Sequence, residues 1–188
     1  MKISRTVLFA GIAGAAIAVV AVLANEQIDG YTSTDAFCGT SCHSMKAHVA
    51  DDPVYVESAH RTATSGVRAG CADCHIPRGI VPATWAHVKG GVKDIISETM
   101  NDFSKPEVWQ QGRAERAYHV RDWLLDTDSA TCRGCHEEAA IMPERKRGQR
   151  QHADALERGL TCIGCHYNLV HAEIEPRQEF LERAEKGN

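Results

Sequence analysis

Four short cysteine motifs constrain this chain more than any other feature of its sequence. Three have the form Cys-x-x-Cys-His, and the first has one more residue between its cysteines. They use all eight cysteines, Cys38, Cys42, Cys71, Cys74, Cys132, Cys135, Cys162 and Cys165, and the histidines that follow are His43, His75, His136 and His166. Two thiols followed directly by an imidazole are the pattern of covalent haem attachment, in which the thiols bond the vinyl groups and the imidazole binds the iron. The motifs predict four covalently attached c-type haems.

Cysteine pairs at this spacing also bind zinc, but a zinc site does not require a histidine after every pair. Only 10 of the 188 residues are histidines. A chance histidine after all four pairs has odds of roughly one in 10^5, and disulfides within such pairs would close only short loops. Haem attachment is therefore the favoured interpretation.

The distribution of apolar residues predicts the fold class. Hydrophobic residues make up 43% of the chain, but much of that share lies in one run from Val7 to Ala24. The polar remainder has few aromatic residues and would bury little apolar surface without cofactors. We predict a mainly α-helical fold with long irregular loops: an N-terminal transmembrane helix followed by a small multihaem domain organised around two haem pairs. The pairs are suggested by the longer separation between the second and third motifs.

The same run predicts a membrane anchor. Lys2 and Arg5 precede residues 7–24, which contain no charged side chain and nearly span a hydrocarbon layer at about 1.5 Å per residue. The positive flank predicts that residues 1–6 are cytoplasmic and that residues 25–188 form a periplasmic haem domain on the bacterial inner (cytoplasmic) membrane. Cleavage after Ala24 is the alternative, and it would release a soluble protein.

The charge and the position of the first motif narrow the choice of partners. The formal net charge is −4 and no basic stripe is present, so nucleic acid is not expected as a partner. Cys38 follows Ala24 closely. We therefore expect the first haem to lie near the membrane surface, where a lipid-soluble quinone can reach it.

Two helices are predicted between the second and third motifs. Ser104 and Glu107 form a capping-box pattern, which predicts a helix that runs to about Leu125. Residues 87–100 predict a second helix, which follows a loop at residues 77–82.

Histidines outside the motifs are candidates for the second axial ligands. They are His48, His60, His87, His119, His152 and His171. A six-coordinate electron-transfer haem most often takes an imidazole on its second side, so up to four of these histidines are expected to bind iron. Met45 follows His43 by two residues, and its thioether is an alternative ligand for the first iron. A methionine that only packs on the porphyrin edge explains the same position.

Several segments resemble the NapC/NirT/NrfH family of membrane-anchored tetrahaem cytochromes. They are residues 37–45, 59–60, 65–69, 71–77, 161–166 and 170–171. The resemblance implies a quinol dehydrogenase, which takes electrons from membrane quinol at the first haem and passes them to a periplasmic reductase or other redox protein. It also implies that His60, His87, His152 and His171 are distal ligands. The family motif has two residues between the first cysteines where this chain has three, and this departure favours Met45 over His43 at the first iron.

The resemblance also implies a quinol site. Residues 90–94 are similar to a family stretch whose acidic residue approaches the first haem. By this resemblance Asp94 would accept a quinol proton, and Lys89 or Lys93 would hold the quinone oxygen. The alternative is an ordinary solvated helix face.

Two other functions remain open at this stage. One is a soluble electron shuttle without quinol chemistry, and the other is a reductase in which an open haem acts on a small oxyanion. The sequence shows no separate catalytic constellation for the second. The direction of electron flow and the choice between a homo-oligomer and a hetero-oligomer also remain open.

Overall fold

The computed structural model describes residues 4–187, and within them the chain is helical with no β-strand. The helices are α1 (Arg5–Thr32), α2 (Asp35–Thr40), α3 (His43–Met45), α4 (Pro53–Val56), α5 (Cys71–His75), α6 (Ile80–Met100), α7 (Pro106–Gln111), α8 (Arg113–Asp126), α9 (Ala130–Arg133), α10 (Lys146–Arg158), α11 (Cys162–Cys165) and α12 (Gln178–Ala184). A π-helical segment lies at Lys46–Ala50 and a 3-10 turn at Glu138–Ala140. Most of these helices are short, and irregular segments join them. The predicted mainly α-helical fold with long loops is confirmed.

Helix α1 is long and apolar enough to cross a membrane. It has 28 residues, its most apolar stretch of 18 has a mean hydropathy of 2.7, and none of that stretch is buried. Ser4 caps its N-terminus by accepting a hydrogen bond from the Val7 amide at 3.3 Å. The helix continues past Ala24 to Thr32. Its last two turns therefore extend beyond the apolar run toward the first motif.

Helix α6 packs against this extension of α1. The Asn25 amide donates a hydrogen bond to the Thr84 hydroxyl at 2.8 Å, and His87 Nδ1 lies 2.9 Å from Asp29 Oδ1. The helix begins at Ile80 and not near His87, so the predicted loop at residues 77–82 is too long. Pro82 lies in the first turn, where the missing backbone N–H has no intrahelical partner to lose.

The second predicted helix is interrupted and is capped differently. Gly112 separates α7 from α8, and α8 ends at Asp126, one residue past the predicted end. The predicted Ser104 cap is wrong: Lys105 occupies the N-cap position, and Ser104 Oγ donates a hydrogen bond to Asp102 at 2.5 Å. A nearby carboxylate competes for the serine hydroxyl, as short polar side chains commonly allow.

The apolar core of the haem domain is small. It joins α8, α11 and α12 through Leu124, Leu125, Ile163, Phe180 and Ala184. A core of this size is expected when the polypeptide surrounds cofactors instead of packing mainly on itself.

A buried arginine holds the segment after the fourth motif against this core. The Arg121 guanidinium donates to the Tyr167 carbonyl at 3.2 Å, to the Asn168 side chain at 2.7 Å and to the Ile174 carbonyl at 2.9 Å. This segment carries His171, so Arg121 helps to fix the path of the chain on which that histidine lies.

Candidate functional site

Three of the four motifs lie on single turns of helix. Cys71 and Cys74 lie in α5, Cys132 lies in α9 with Cys135 just after it, and Cys162 and Cys165 lie in α11. Residues three apart on a helix project from nearly the same face. Each of these turns therefore presents two thiols together, and none of the eight cysteines, all of which lie in the described residues, forms a disulfide.

The first motif is built differently because of its extra residue. Helix α2 ends at Thr40 after Cys38, and Cys42 has extended backbone angles of φ −109° and ψ 134° before His43 begins α3. Its two thiols are thus presented by α2 and by the extended residue before α3, and not by one turn.

The structure brings three motif histidines together with three histidines predicted as distal ligands. The ring centroids are 6.2 Å apart for His75 and His171, 6.1 Å for His60 and His136, and 6.1 Å for His152 and His166. The two members of the first two pairs are far apart in the sequence. Each pair combines one attachment motif with one imidazole from outside the motifs.

These separations fit an iron atom between the two imidazoles. A metal lies about 2.0 Å from an imidazole nitrogen, and the ring centroid is a little over 1 Å behind that nitrogen, so two rings on opposite sides of one metal have centroids roughly 6.3 Å apart. Direct ring stacking would bring the centroids closer and the planes parallel. The planes of the three pairs are instead inclined by 49°, 79° and 88°.

The surroundings of two of these imidazoles, His75 and His166, favour the neutral form that binds metals. Packing around the ring, with a smaller effect of His171, lowers the pKa of His75 to about 4, although the residue is exposed to solvent. Burial also lowers the pKa of His166, and the neighbouring rings of His152, His60 and His136 lower it further. Neutral imidazole is the form that binds metal ions.

Tyr55 is a residue of the second site that the sequence did not reveal. Its buried ring stacks on His171 with centroids 5.8 Å apart and planes inclined by 16°. Its hydroxyl lies 3.5 Å from Cys71 Sγ. Tyr55 therefore links the distal histidine of this site to its attachment motif.

Polar side chains connect successive motifs into a series. Asp35 in α2 accepts a hydrogen bond from the Cys71 amide at 2.8 Å, which joins the first motif to the second. Thr131 Oγ1 donates to the Cys74 carbonyl at 3.1 Å and joins the second to the third. Ser129 Oγ accepts from the Ile163 amide at 3.0 Å and lies 2.7 Å from Thr161 Oγ1, which joins the third to the fourth. These contacts also link the two predicted haem pairs to each other.

Ser129→Ala should destabilise the junction between the third and fourth motifs. Ser129 is fully buried, so the variant leaves the Ile163 amide and the Thr161 hydroxyl without this partner. The expected loss is about 1–3 kcal/mol in the free energy of unfolding, measured by urea denaturation of the haem-loaded protein. Ser129→Gly is the control for backbone strain. It loses the same hydroxyl, but glycine adopts the φ of 50° at this position without strain. Equal stability of Ser129→Ala and the wild type would contradict this role.

Asp35→Asn should lower the stability of the protein above pH 4 by about 1 kcal/mol, since the ion pair with Arg61 is partly exposed. Burial raises the pKa of Asp35, but hydrogen bonds from the Cys71 amide and Arg61 outweigh it, and the net pKa lies below the ordinary 3.8. A depressed carboxyl pKa stabilises the fold above the ordinary value, and the effect is lost as the pH falls through the folded-state pKa. The difference in melting temperature between the two proteins should therefore shrink between about pH 4 and pH 2. A difference that is independent of pH would exclude the carboxylate charge as its cause.

Glu98 of α6 is the second residue that the sequence analysis missed, and it lies at the first motif. Its carboxylate is 2.8 Å from His43 Nδ1 and accepts a hydrogen bond from the Ser44 hydroxyl. A carboxylate on Nδ1 leaves Nε2 of the same ring free to face a metal. Met45, two residues after His43 in α3, is half-buried. His43, one of the two candidate ligands of the first iron, thus lies next to α6.

Helix α6 carries the residues predicted for the quinol site. Burial raises the pKa of the Cys42 thiol, and the nearby charges of Glu98 and Asp94 raise it further, so Asp94 lies close to the first motif. Partial burial raises the pKa of Asp94 itself, Lys93 lowers it, and Glu98 raises it again. Lys89 and Lys93 lie exposed on the flank of the helix away from the face that Thr84, His87 and Glu98 share.

The remaining histidines are not brought to a motif histidine. His87 faces Asp29 of α1. His48 Nε2 lies 2.8 Å from the Phe103 carbonyl, and its ring stacks on Trp109 with centroids 5.1 Å apart. His119 is exposed on α8.

Comparisons with known proteins identify the family to which this chain belongs. The profile of a family described as the NapC/NirT cytochrome c family, N-terminal region, matches residues 1–176. A protein described as a tetraheme c-type cytochrome from Nitrosomonas europaea is 39% identical over 86% of this chain and 67% of its own length. A tetraheme c-type cytochrome from Allochromatium vinosum is 38% identical over 76% of each chain. The c-type cytochrome NapC of Escherichia coli is 31% identical over 77% of this chain and 74% of its own length. No solved structure matches the chain.

Proposed function

Because the chain belongs to the NapC/NirT cytochrome c family, we propose that this tetrahaem electron-transfer protein oxidises membrane quinol and passes the electrons to a redox protein outside the cytoplasm. When bound, c-type haem supplies a one-electron Fe(III)/Fe(II) couple. The roles proposed for the chain itself are to hold four such groups in series, to admit quinol beside the first, and to accept its protons.

The observation that carries this proposal is the contrast between the first motif and the other three. The second, third and fourth motifs each have an imidazole pair at the spacing of a six-coordinate iron. The first motif instead faces α6, the helix that packs on α1 and carries Asp94 and Glu98. A site next to the membrane helix without a second imidazole is suited to a substrate.

The proposed ligand assignments follow from these contacts. Three irons would each be held by a histidine pair, His75 with His171, His136 with His60, and His166 with His152. His43 or Met45 would hold the first. In this proposal Asp94 accepts a quinol proton, and Lys93, which already acts on the charge of Asp94, is better placed than Lys89 to contact the quinol oxygen. His87 is assigned to none of the three pairs.

The proposed topology places α1 across the bacterial inner membrane. Residues 1–6 would lie in the cytoplasm and residues 25–188 on the periplasmic side, in keeping with the positive flank of the apolar run. A periplasmic reductase or another redox protein would then accept the electrons near the third and fourth motifs. A soluble shuttle is the competing function, and intact-mass measurement of the mature protein separates the two, because cleavage after Ala24 would remove the apolar part of α1.

Anaerobic addition of a short-chain quinol to the full-length protein in liposomes tests the proposal. The haem absorption bands should change from the oxidised to the reduced form within the mixing and turnover time of an enzyme, on the order of milliseconds to seconds. A protein that dithionite reduces but quinol does not would contradict quinol oxidation and favour the shuttle.

A further inference from the structure

Helix α6 carries a stripe of exposed apolar side chains along the face that points away from the haem domain. The α6 apolar stripe consists of Val81, Trp85, Val88, Val92, Ile95 and Ile96. Each is between 52% and 79% exposed. Their spacing of mostly three or four residues places them on one side of the helix, and no charged residue interrupts them.

The opposite face of the same helix is polar and is turned toward the protein. Thr84 and His87 contact α1, and Glu98 contacts the first motif. A surface helix of a water-soluble domain normally shows the reverse arrangement, with its apolar face inward. Large exposed apolar patches mark surfaces that contact another molecule or a membrane.

The contacts with α1 fix where the stripe lies relative to the membrane span. Thr84 is level with Asn25, the residue directly after the apolar run, and His87 is level with Asp29. From the first contact to the second, the residue number rises in both helices, so α1 and α6 are parallel where they meet. Trp85 is therefore level with the outer end of the span, and Val81 lies one turn closer to the hydrocarbon.

We propose that the N-terminal part of the α6 apolar stripe, Val81, Trp85 and Val88, contacts the outer leaflet of the lipid bilayer. Tryptophan is enriched where hydrocarbon meets headgroups, which is the level that Trp85 occupies. Lys89 flanks the stripe next to Val88, and long basic side chains beside an apolar helix face reach the headgroups of anionic lipids. The acidic residues Asp94 and Glu98 lie on the other face, away from those headgroups.

The bilayer is favoured over a protein partner because the stripe adjoins a helix that already lies in the membrane. A second copy of the chain would need to cover the same face at a level where lipid is present on every side. The inference rests on the membrane-spanning α1 and on the exposed stripe, and it holds whether or not the protein oxidises quinol.

Photolabelling from the lipid phase tests the proposal on the full-length, haem-loaded protein. The protein is placed in liposomes of phosphatidylcholine and phosphatidylglycerol that contain a phosphatidylcholine with a diazirine near its headgroup, and adducts are mapped by mass spectrometry. Adducts are expected on α1 and on Val81, Trp85 and Val88. Val67 and Met142, which are 69% and 77% exposed elsewhere, should stay unlabelled. Adducts confined to α1 would overturn the proposal.

A charged substitution in the stripe provides the matched variant. Val81→Glu combined with Val88→Glu should abolish the adducts on α6 while those on α1 and the haem content remain unchanged. Val67→Glu is the control and should leave the α6 adducts at the wild-type level. Retention of the α6 adducts in the double variant would show that the label reaches the helix without bilayer contact, and would contradict the proposal.

Discussion

His171→Ala should convert one low-spin haem of the four to a high-spin form without loss of covalently bound haem. The His75 and His171 rings are 6.2 Å apart, and a single imidazole leaves one side of an iron open or bound only by water. Low-temperature EPR of the oxidised protein measures the change directly. Because the second motif lies between the first and the third, electron transfer from the first site to an external acceptor should also stop.

Parallel variants distinguish the EPR signals of the three histidine pairs from one another. His60→Ala and His152→Ala should each convert a different low-spin signal, since they are paired with His136 and His166. His119→Ala is the matched control, because this exposed histidine of α8 should leave all signals unchanged. Three unaltered low-spin signals in His171→Ala would contradict the assignment of the second iron.

Asp94→Asn should slow quinol oxidation by about 10²–10⁴-fold, the range typical of losing a positioned general base. Haem content and the three histidine-pair signals should be unchanged, because Asp94 belongs to α6 and contacts none of those pairs. The rate is measured from haem reduction after anaerobic mixing with a short-chain quinol. Asp102→Asn, which alters an exposed carboxylate just beyond the end of the same helix, is the matched control.

The pH dependence provides a second criterion for Asp94. Partial burial and Glu98 raise its pKa above the ordinary 3.8, while Lys93 lowers it. Only the carboxylate form accepts a proton, so the rate should fall as the pH decreases through this raised pKa. Asp94→Asn should lose that dependence. An unchanged rate and an unchanged pH profile in the variant would remove Asp94 from the mechanism.

Residue types and local spacing were sufficient to predict the fold class and c-type haem as the cofactor, while the attachment sites stay a prediction. Each motif identifies its own thiols and its own histidine, whatever the rest of the chain does. The end of α8 was predicted within one residue because a run of poor helix formers follows Leu125. The start of α6 was misplaced because Pro82 is compatible with a first helical turn as well as with a loop.

Non-local contacts were beyond sequence reasoning. Histidines such as His60 and His171 were candidates, but their motif partners depend on how distant segments meet. Glu98, Tyr55 and Asp35 carried no motif at all, and each acquires its role only from a neighbour far away in the chain. Their residue types are ordinary on any helix surface, so only packing reveals them.

The central claim is that quinol binds beside the first motif, and low-temperature EPR of the detergent-purified protein tests it most directly. The oxidised protein is titrated with an unreactive quinol analogue while all haem signals are followed. The account predicts that the signal of one haem changes on binding and that the signals of the three histidine-pair haems do not. Four haem signals that do not change when the analogue is added would contradict quinol binding beside the first motif.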